Sequence, residues 1–328
     1  EFSLSQILIH SDVINKNRFP GFYKLSTQTT FYPNTTSNAG FTEYSVPSLL
    51  SGKFPEKQNR LSLPSFNYFY PDNLLNLLSH TYKVEADEFV TNFCVSSNCQ
   101  KLLNVNMKDE YRKVLKNDLQ VIFLASIMPK KYIEAKYPRI QSSWGDFMGK
   151  VTKNDLQSTL SSFDRLKNIK DFVNRNHKNE KGKFIFLHVV FPHDPYEFLP
   201  DGRKIPKSRS LENVAHGLDL SNYGILLNQA YLLQLKFLDD IILDLSNKIQ
   251  TDLKNDLVIV TSDHGVSFQN NKSSRGDFEG ETPNAKTLAS VLYIPLFIHY
   301  PEQKSGKIDL KNVQLIDLYP TILKQIDF

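Results

Sequence analysis

The residues best equipped for chemistry sit directly after two apolar runs. Residues 257–268 read LVIVTSDHGVSF, and the apolar stretch ends on Asp263 and His264 side by side. Adjacent Asp and His supply one oxygen and one nitrogen ligand, a set that suits zinc or manganese better than calcium. A second run, KFIFLHVVFPHDPY (183–196), carries His188 and His193 just past its apolar part. A third segment, AGFTEYSVPSLLSG (39–52), puts the hydroxyls of Thr42 and Ser45 at or just before a helix start. Free backbone N–H groups there attract an anion. Each feature has a plainer alternative: an Asx-turn with a neighbouring surface His for DHG, a satisfied core residue for a lone His, an N-cap for Thr42. Two strand ends loaded in the same way are harder to dismiss, because ligands of open α/β sheets bind in the crevice beyond the carboxyl ends of strands.

The elements that must position these residues are legible in outline. LVIV and KFIFL are short, continuous and rich in Val, Ile and Phe, the pattern of strands buried on both faces. YIPLFIHY (293–300) reads as a strand, and TYKVEA is strand-like. RFPGFYKL suits a short helix through Phe19, Phe22, Tyr23 and Leu25. In VPSLLSG, Pro47 fits the first turn of a helix and Gly52 its end. PDNLLNLLSH (71–80) reads as a helix capped by Asp72 or Asn73, residues 223–249 as a long amphipathic helix, and LIDLYPTILKQI as a closing helix. Residues 100–180 look mostly helical and polar, without a chemical motif, and a Gly, Asn and Ser-rich loop runs from 265 to about 285. Alternating strands and helices argue for a layered α/β sandwich.

Composition narrows the partners. With 328 residues, 40% hydrophobic and 23% charged, the chain reads as folded, long enough for one large α/β domain or two ordinary ones. A net charge of +4, with only short basic clusters such as Arg203, Lys204, Lys207 and Arg209, leaves no footprint for nucleic acid. No apolar run approaches the ~20 residues of a membrane helix, and no signal peptide is present. The cysteines, Cys94 and Cys99 in FCVSSNC, read equally as a small disulfide loop or a pair of free thiols.

Taken in order, RFPGFYKLSTQTTFYPNTTSNAGFTEYSVPSLLSGKFP, FLHVVFPHDPY, the helix from Tyr231 to Asp239, LVIVTSDHG, YIPLFIHYP and VQLIDLYPTIL resemble the sulfatase-like branch of the alkaline phosphatase superfamily. Only the middle, roughly 100 to 180, lacks an anchor. The resemblance implies a three-layer α/β/α sandwich with a mostly parallel central sheet, and a single catalytic domain over 1–328. It also assigns roles. Asp263 and His264 are ligands of one divalent metal ion (Mn, Zn, Mg or Ca), and Thr42 stands where the family's metal-bound nucleophile does. His193, in PHDP, matches the histidine that contacts the transferred group, with His188 a second substrate-binding candidate. Glu1 is the second member of an acidic pair and a further metal ligand, so the family's first strand is expected ahead of it, truncated here. Little turnover is then expected from this segment alone.

One departure shapes the expected reaction. Formylglycine sulfatases carry Cys or Ser, any residue, Pro, Ser, Arg, whereas this chain has TEYSV. Thr at that place resembles the phosphoglycerol and phosphoethanolamine transferases, in which a threonine takes the phosphoryl group. The implied activity is metal-dependent hydrolysis or transfer of phosphate or sulfate esters, lipid- or glycan-linked ones among them, through a covalent Thr42 intermediate. A true sulfatase and a non-catalytic binding domain are the alternatives. Likeness to bacterial membrane proteins implies a cell-membrane location, with the domain on the extracytoplasmic side, membrane segments ahead of Glu1, and a Cys94–Cys99 disulfide.

Overall fold

The computed structural model describes residues 1–55, 70–88, 91, 93–102, 116, 119, 123, 162–175, 177, 181–205, 223–269 and 284–326. Most of the polar stretch at 100–180 and of the loop at 265–285 lies outside the described residues, as do Lys207 and Arg209. The chain divides into two compact units, residues 1–102 with 168–328, and residues 103–167. Every candidate site residue belongs to the first.

In chain order the strands are β1 (Leu8–His10), β2 (Val13–Ile14), β3 (Thr30–Phe31), β4 (Thr35–Thr36), β5 (Lys83–Asp87), β6 (Cys99–Lys101), β7 (Lys183–Leu187), β8 (Val258–Thr261), β9 (Leu296–His299), β10 (Lys307–Ile308) and β11 (Val313–Gln314). The helices are α1 (Pro20–Ser26), α2 (Thr42–Ser51), α3 (Leu74–Leu78), α4 (Ser162–Asn174), α5 (Tyr223–Thr251), α6 (Ala285–Leu292) and α7 (Leu318–Gln325). Of the two larger sheets, β6-β5-β7 is wholly parallel. The larger, β10-β3-β9-β8, pairs β10 with β3 in parallel, and β9 with both β3 and β8 antiparallel. Two-stranded pairs add β1 with β2, antiparallel, and β4 with β11, parallel.

Side-chain alternation along β9 fixes the layers. Leu296 and Ile298 join Ile294, Leu315 and Leu318 in one apolar cluster. Phe297 points the other way and stacks on Phe31 at 4.8 Å between ring centroids and on Phe22 at 6.2 Å. On the first face, Val46 and Leu50 of α2, Leu74, Leu75 and Leu78 of α3, and Ile322 of α7 bury Val84 and Ala86 of β5. Phe184 and Phe186 of β7 and Ile259 of β8 pack against that same cluster, so the two sheets share one core. On the opposite face α1 lies against α5. The Phe22 N–H donates to Asp239 Oδ1 at 2.8 Å, and a Cβ on Gly21 would fall 1.9 Å from the Asp239 carbonyl oxygen. Helices, sheet and helices thus stack in the expected α/β/α order.

Two local expectations change, and one open alternative is decided. KFIFL and VIVT are half-buried along their whole length, not buried on both faces, whereas β9 is buried throughout. The reason is their place: β7 and β8 each end a sheet, so among the described residues one edge of each has no ladder partner. Helix α2 begins at Thr42, which moves Pro47 beyond the first turn. Its missing N–H forfeits only the bond to the Glu43 carbonyl. Gly52 closes the helix as expected, in the left-handed region at φ 66°. Asn73, not Asp72, caps α3, accepting from the Asn76 N–H at 3.1 Å. Cys94 and Cys99 form a disulfide across a Cα separation of 5.4 Å. Among the described residues no helix is long and apolar enough to cross a membrane.

Candidate active site

The first turn of α2 presents the key hydroxyl. Phe41, in extended backbone, occupies the N-cap position and offers no side-chain cap. Thr42 is therefore the first helical residue, and its hydroxyl is turned away from the helix. It donates to Asp263 Oδ2 at 2.6 Å and lies 3.3 Å from His264 Nε2. Ser45, the rival hydroxyl, is fully buried and spends its Oγ on the loop before the helix, 2.9 Å from the Ala39 carbonyl and 3.0 Å from that of Phe41. Ser37 pairs with Ser45 Oγ at 3.2 Å and reaches the Asp263 carbonyl at 2.5 Å. These two serines tie the loop that delivers Thr42 to the strand end that delivers Asp263.

That strand end is itself stitched to the start of the chain. The Phe2 N–H donates to the His264 carbonyl at 2.8 Å and meets Ser262 Oγ at 3.1 Å. Ser3 Oγ accepts from the Val266 N–H at 2.9 Å and lies 2.6 Å from the Ser290 carbonyl. Gly265 runs through this crossing with no space for a side chain: a Cβ would stand 2.1 Å from Ser290 O and 2.6 Å from Ser3 Oγ. The glycine of DHG is thus a packing requirement.

His264 is wholly buried, and its Nδ1 lies 2.9 Å from the Gly265 carbonyl. A carbonyl only accepts, so Nδ1 carries the hydrogen and the lone pair of Nε2 faces Thr42 and Asp263. Burial is the main force on this ring and, against the pull of Asp263, brings its pKa down to about 4. The imidazole is therefore neutral at ordinary pH, the form a metal ligand needs. Burial opposes the charge of Asp263 as well, yet His264, His188 and the Thr42 hydroxyl hold its carboxyl well below the usual range.

The β7 end supplies the remaining histidines. His188 is half-buried with Nε2 4.0 Å from Asp263 Oδ2, and its Nδ1 has no hydrogen-bond partner among the described residues. Burial pushes its pKa down. His193 Nε2 lies 3.4 Å from Glu1 Oε1. Glu1 bridges the two groups: its backbone nitrogen donates to Asp263 Oδ1 at 3.2 Å while its carboxylate faces His193. Thr42, Asp263, His264 and His188 therefore converge directly, and His193 joins through Glu1.

A divalent metal suits the first cluster. Thr42, Asp263 and His264 converge two oxygens and one deprotonated ring nitrogen. Glu1, His193 and Asp194 form a second set, each placing a donor atom within 4.8 Å of the others. The sequence reading missed Ser37, Gln234 and Asp194. Gln234 was findable, being a polar residue on the buried face of α5, with no exposed surface.

The sulfatase family model matches residues 9–328. The chain belongs to the sulfatase family. No curated protein sequence matches it. Among solved structures, this sulfatase-family chain resembles a 2-O GAG sulfatase with a TM-score of 0.55 and 12% identity, over 95% of this chain and 65% of that one. A phosphonate monoester hydrolase from Silicibacter pomeroyi aligns at 0.52 and 14% identity, over 94% and 68%. A sulfatase from Pseudoalteromonas sp. aligns at 0.52 and 16% identity, over 94% and 62%. The chain thus spans about two thirds of the length of these neighbours, and at such identity they share its fold.

Proposed function

We propose that the chain is a metal-dependent ester hydrolase or transferase that takes a phosphoryl or sulfuryl group onto Thr42. The observation that carries this reading is the Thr42 hydroxyl, bound to Asp263 at 2.6 Å beside His264 Nε2 rather than capping its own helix. Asp263, His264 and Thr42 would hold one divalent ion, with Glu1 a further candidate. Such an ion, when bound, acidifies a coordinated hydroxyl and neutralises charge on ester oxygens.

The residues then divide the work. Thr42 Oγ, oriented by its hydrogen bond to Asp263, gives up its proton to solvent and attacks phosphorus or sulfur. As that bond forms, the bond from phosphorus or sulfur to the leaving oxygen breaks, and the leaving oxygen takes a proton from His193 Nε2. Water or an acceptor hydroxyl then displaces Thr42 from the covalent adduct. N–H groups of the first turn of α2 and His188 would orient the remaining ester oxygens.

Phosphate and phosphonate esters are the first reading, because TEYSV lacks the Cys or Ser, Pro, Ser, Arg pattern of formylglycine enzymes. Sulfate esters are the second, supported by the family and by the neighbour that is a 2-O GAG sulfatase. Nitrophenyl phosphate, phenylphosphonate and sulfate, assayed side by side with full-length protein and Thr42→Ala, test both. Turnover of one ester by the wild type only, with a phosphoryl or sulfuryl adduct on Thr42 in quenched reactions, is expected. Equal turnover by Thr42→Ala would overturn the mechanism. We further propose an extracytoplasmic location at the cell membrane, supported by the Cys94–Cys99 bond, since disulfides persist in oxidising compartments.

A further inference from the structure

Asp194 follows His193 directly and has half of its side chain exposed to solvent, the profile of an ordinary surface carboxylate. Its contacts are not ordinary. His193 Nδ1 lies 2.6 Å from Asp194 Oδ1 and 2.7 Å from the Asp194 carbonyl oxygen. An ionised carboxylate and a carbonyl both only accept, so Nδ1 must carry the hydrogen. The opposite ring nitrogen, Nε2, is the one that faces Glu1, at 3.4 Å from Oε1.

The loop that holds this pair is pinned on both sides. Gln234 Nε2 donates to the carbonyls of Pro192 and His193 at 3.1 and 3.0 Å. Gln234 Oε1 accepts from the N–H groups of Glu197 and Phe198 at 2.9 and 3.3 Å. A fully buried side chain of α5 thus fixes the backbone before and after Asp194. The carboxylate is aimed at the ring by a scaffold and does not meet it as a free surface group.

We propose that Asp194 is a positioning residue, which fixes His193 as the Nδ1–H tautomer and turns Nε2 toward the ester. The inference rests on the reading of His193 as the residue that serves the leaving oxygen. His193 serves the leaving oxygen as the imidazolium, having taken a proton from solvent onto Nε2 beforehand. When the ester bond breaks that proton passes to the leaving oxygen, and the ring is left neutral with its Nδ1–H still on Asp194. When Nε2 is protonated again, the carboxylate faces the cation. A carboxylate behind a catalytic imidazole has this effect in hydrolytic triads. An acceptor on the far nitrogen sets the tautomer in the same way.

The test uses full-length protein and paired esters with a good and a poor leaving group, nitrophenyl and phenyl. Asp194→Ala is expected to lower kcat about 10- to 100-fold on the phenyl ester, with a smaller loss on the nitrophenyl ester. KM and bound metal should be unchanged, and Asp194→Asn, which keeps an acceptor, should recover part of the loss. Nitrogen-detected NMR of His193 in metal-free protein should show the Nδ1–H tautomer in wild type and a smaller Nδ1–H share in Asp194→Ala, where only the Asp194 carbonyl is left to accept. Equal losses on both esters, or an unchanged tautomer, would overturn the proposal. If wild type hydrolyses neither ester, the functional reading falls, and the NMR result still decides whether Asp194 holds the ring.

Discussion

Thr42 separates catalysis from capping more sharply than any other residue. A threonine serving only as an N-cap would cost about 0.5–2 kcal/mol on conversion to alanine and leave the chemistry alone. Because Phe41 holds the cap position and the Thr42 hydroxyl is spent on Asp263, Thr42→Ala should instead abolish turnover with the melting temperature nearly unchanged. Thr42→Ser, which keeps the hydroxyl, should retain part of the activity. Ser45→Ala should do the reverse, lowering stability through lost bonds to the Ala39 and Phe41 carbonyls while some turnover survives. A second expectation concerns pH. The His264 pKa falls from 6.5 to about 4 on folding, so as pH drops the unfolded chain takes up the proton first. Stability is then complete above pH 6.5 and is lost progressively between pH 6.5 and 4, by up to about 3 kcal/mol. Asp263, whose carboxyl is held low, adds a loss of the same sign below its ordinary range. Thermal melts of metal-free protein across pH 4 to 7, with His264→Gln as control, check this; a flat wild-type profile would refute it. At this scale the residue types and their order pointed to the cluster, because metal chemistry constrains both. The two-faced placement of Glu1 was not readable, since it depends on bonds made by the Phe2 N–H and the Ser3 hydroxyl to a loop some 260 residues away.

Among the elements, the junction after β8 and the loop after β7 are built with the least slack. Gly265→Ala must push Ser290 or Ser3 aside, because its Cβ would meet both well inside contact distance. Overpacking of this kind costs roughly 1–3 kcal/mol. Here it should also shift Asp263 and His264, so metal affinity should fall along with the melting temperature. Retained metal affinity in a destabilised Gly265→Ala protein would mean that the junction does not position the ligands. Gln234→Leu should be worse for stability, since it strips partners from the backbone groups of Pro192, His193, Glu197 and Phe198. Each group left buried and unpaired costs about 1–3 kcal/mol. Both expectations are checked by denaturant titration. Strand and helix positions were largely legible because apolar periodicity follows burial. Pro47 misled the reading of α2, because proline is tolerated one turn further in than its preferred place. Half-burial of β7 and β8 was invisible, since a strand's own residues do not say what lies beside it.

For the whole molecule, the layered α/β architecture followed from the alternation of strands and helices and the α/β/α order from the family resemblance, whereas the antiparallel pairing of β9 followed from neither. That pairing depends on which strands become neighbours, a non-local choice that no single run of residues encodes. The Cys94–Cys99 bond closes so short a loop that its entropic gain is modest, and it shapes the chain around β6 more than it holds the sandwich together. Thiol titration of unreduced, denatured protein should find no free thiol, and two per chain would count against the extracytoplasmic location. The outer edges of β7 and β8, which have no ladder partner among the described residues, bear on handling the protein. Unpaired backbone groups along an apolar strand are a template onto which another extended chain can zip. Light scattering of this 328-residue chain should therefore grow with concentration, and a short soluble peptide with strand-forming residues should suppress that growth by occupying the flanks first. Such edges would make the chain adhesive to its own copies.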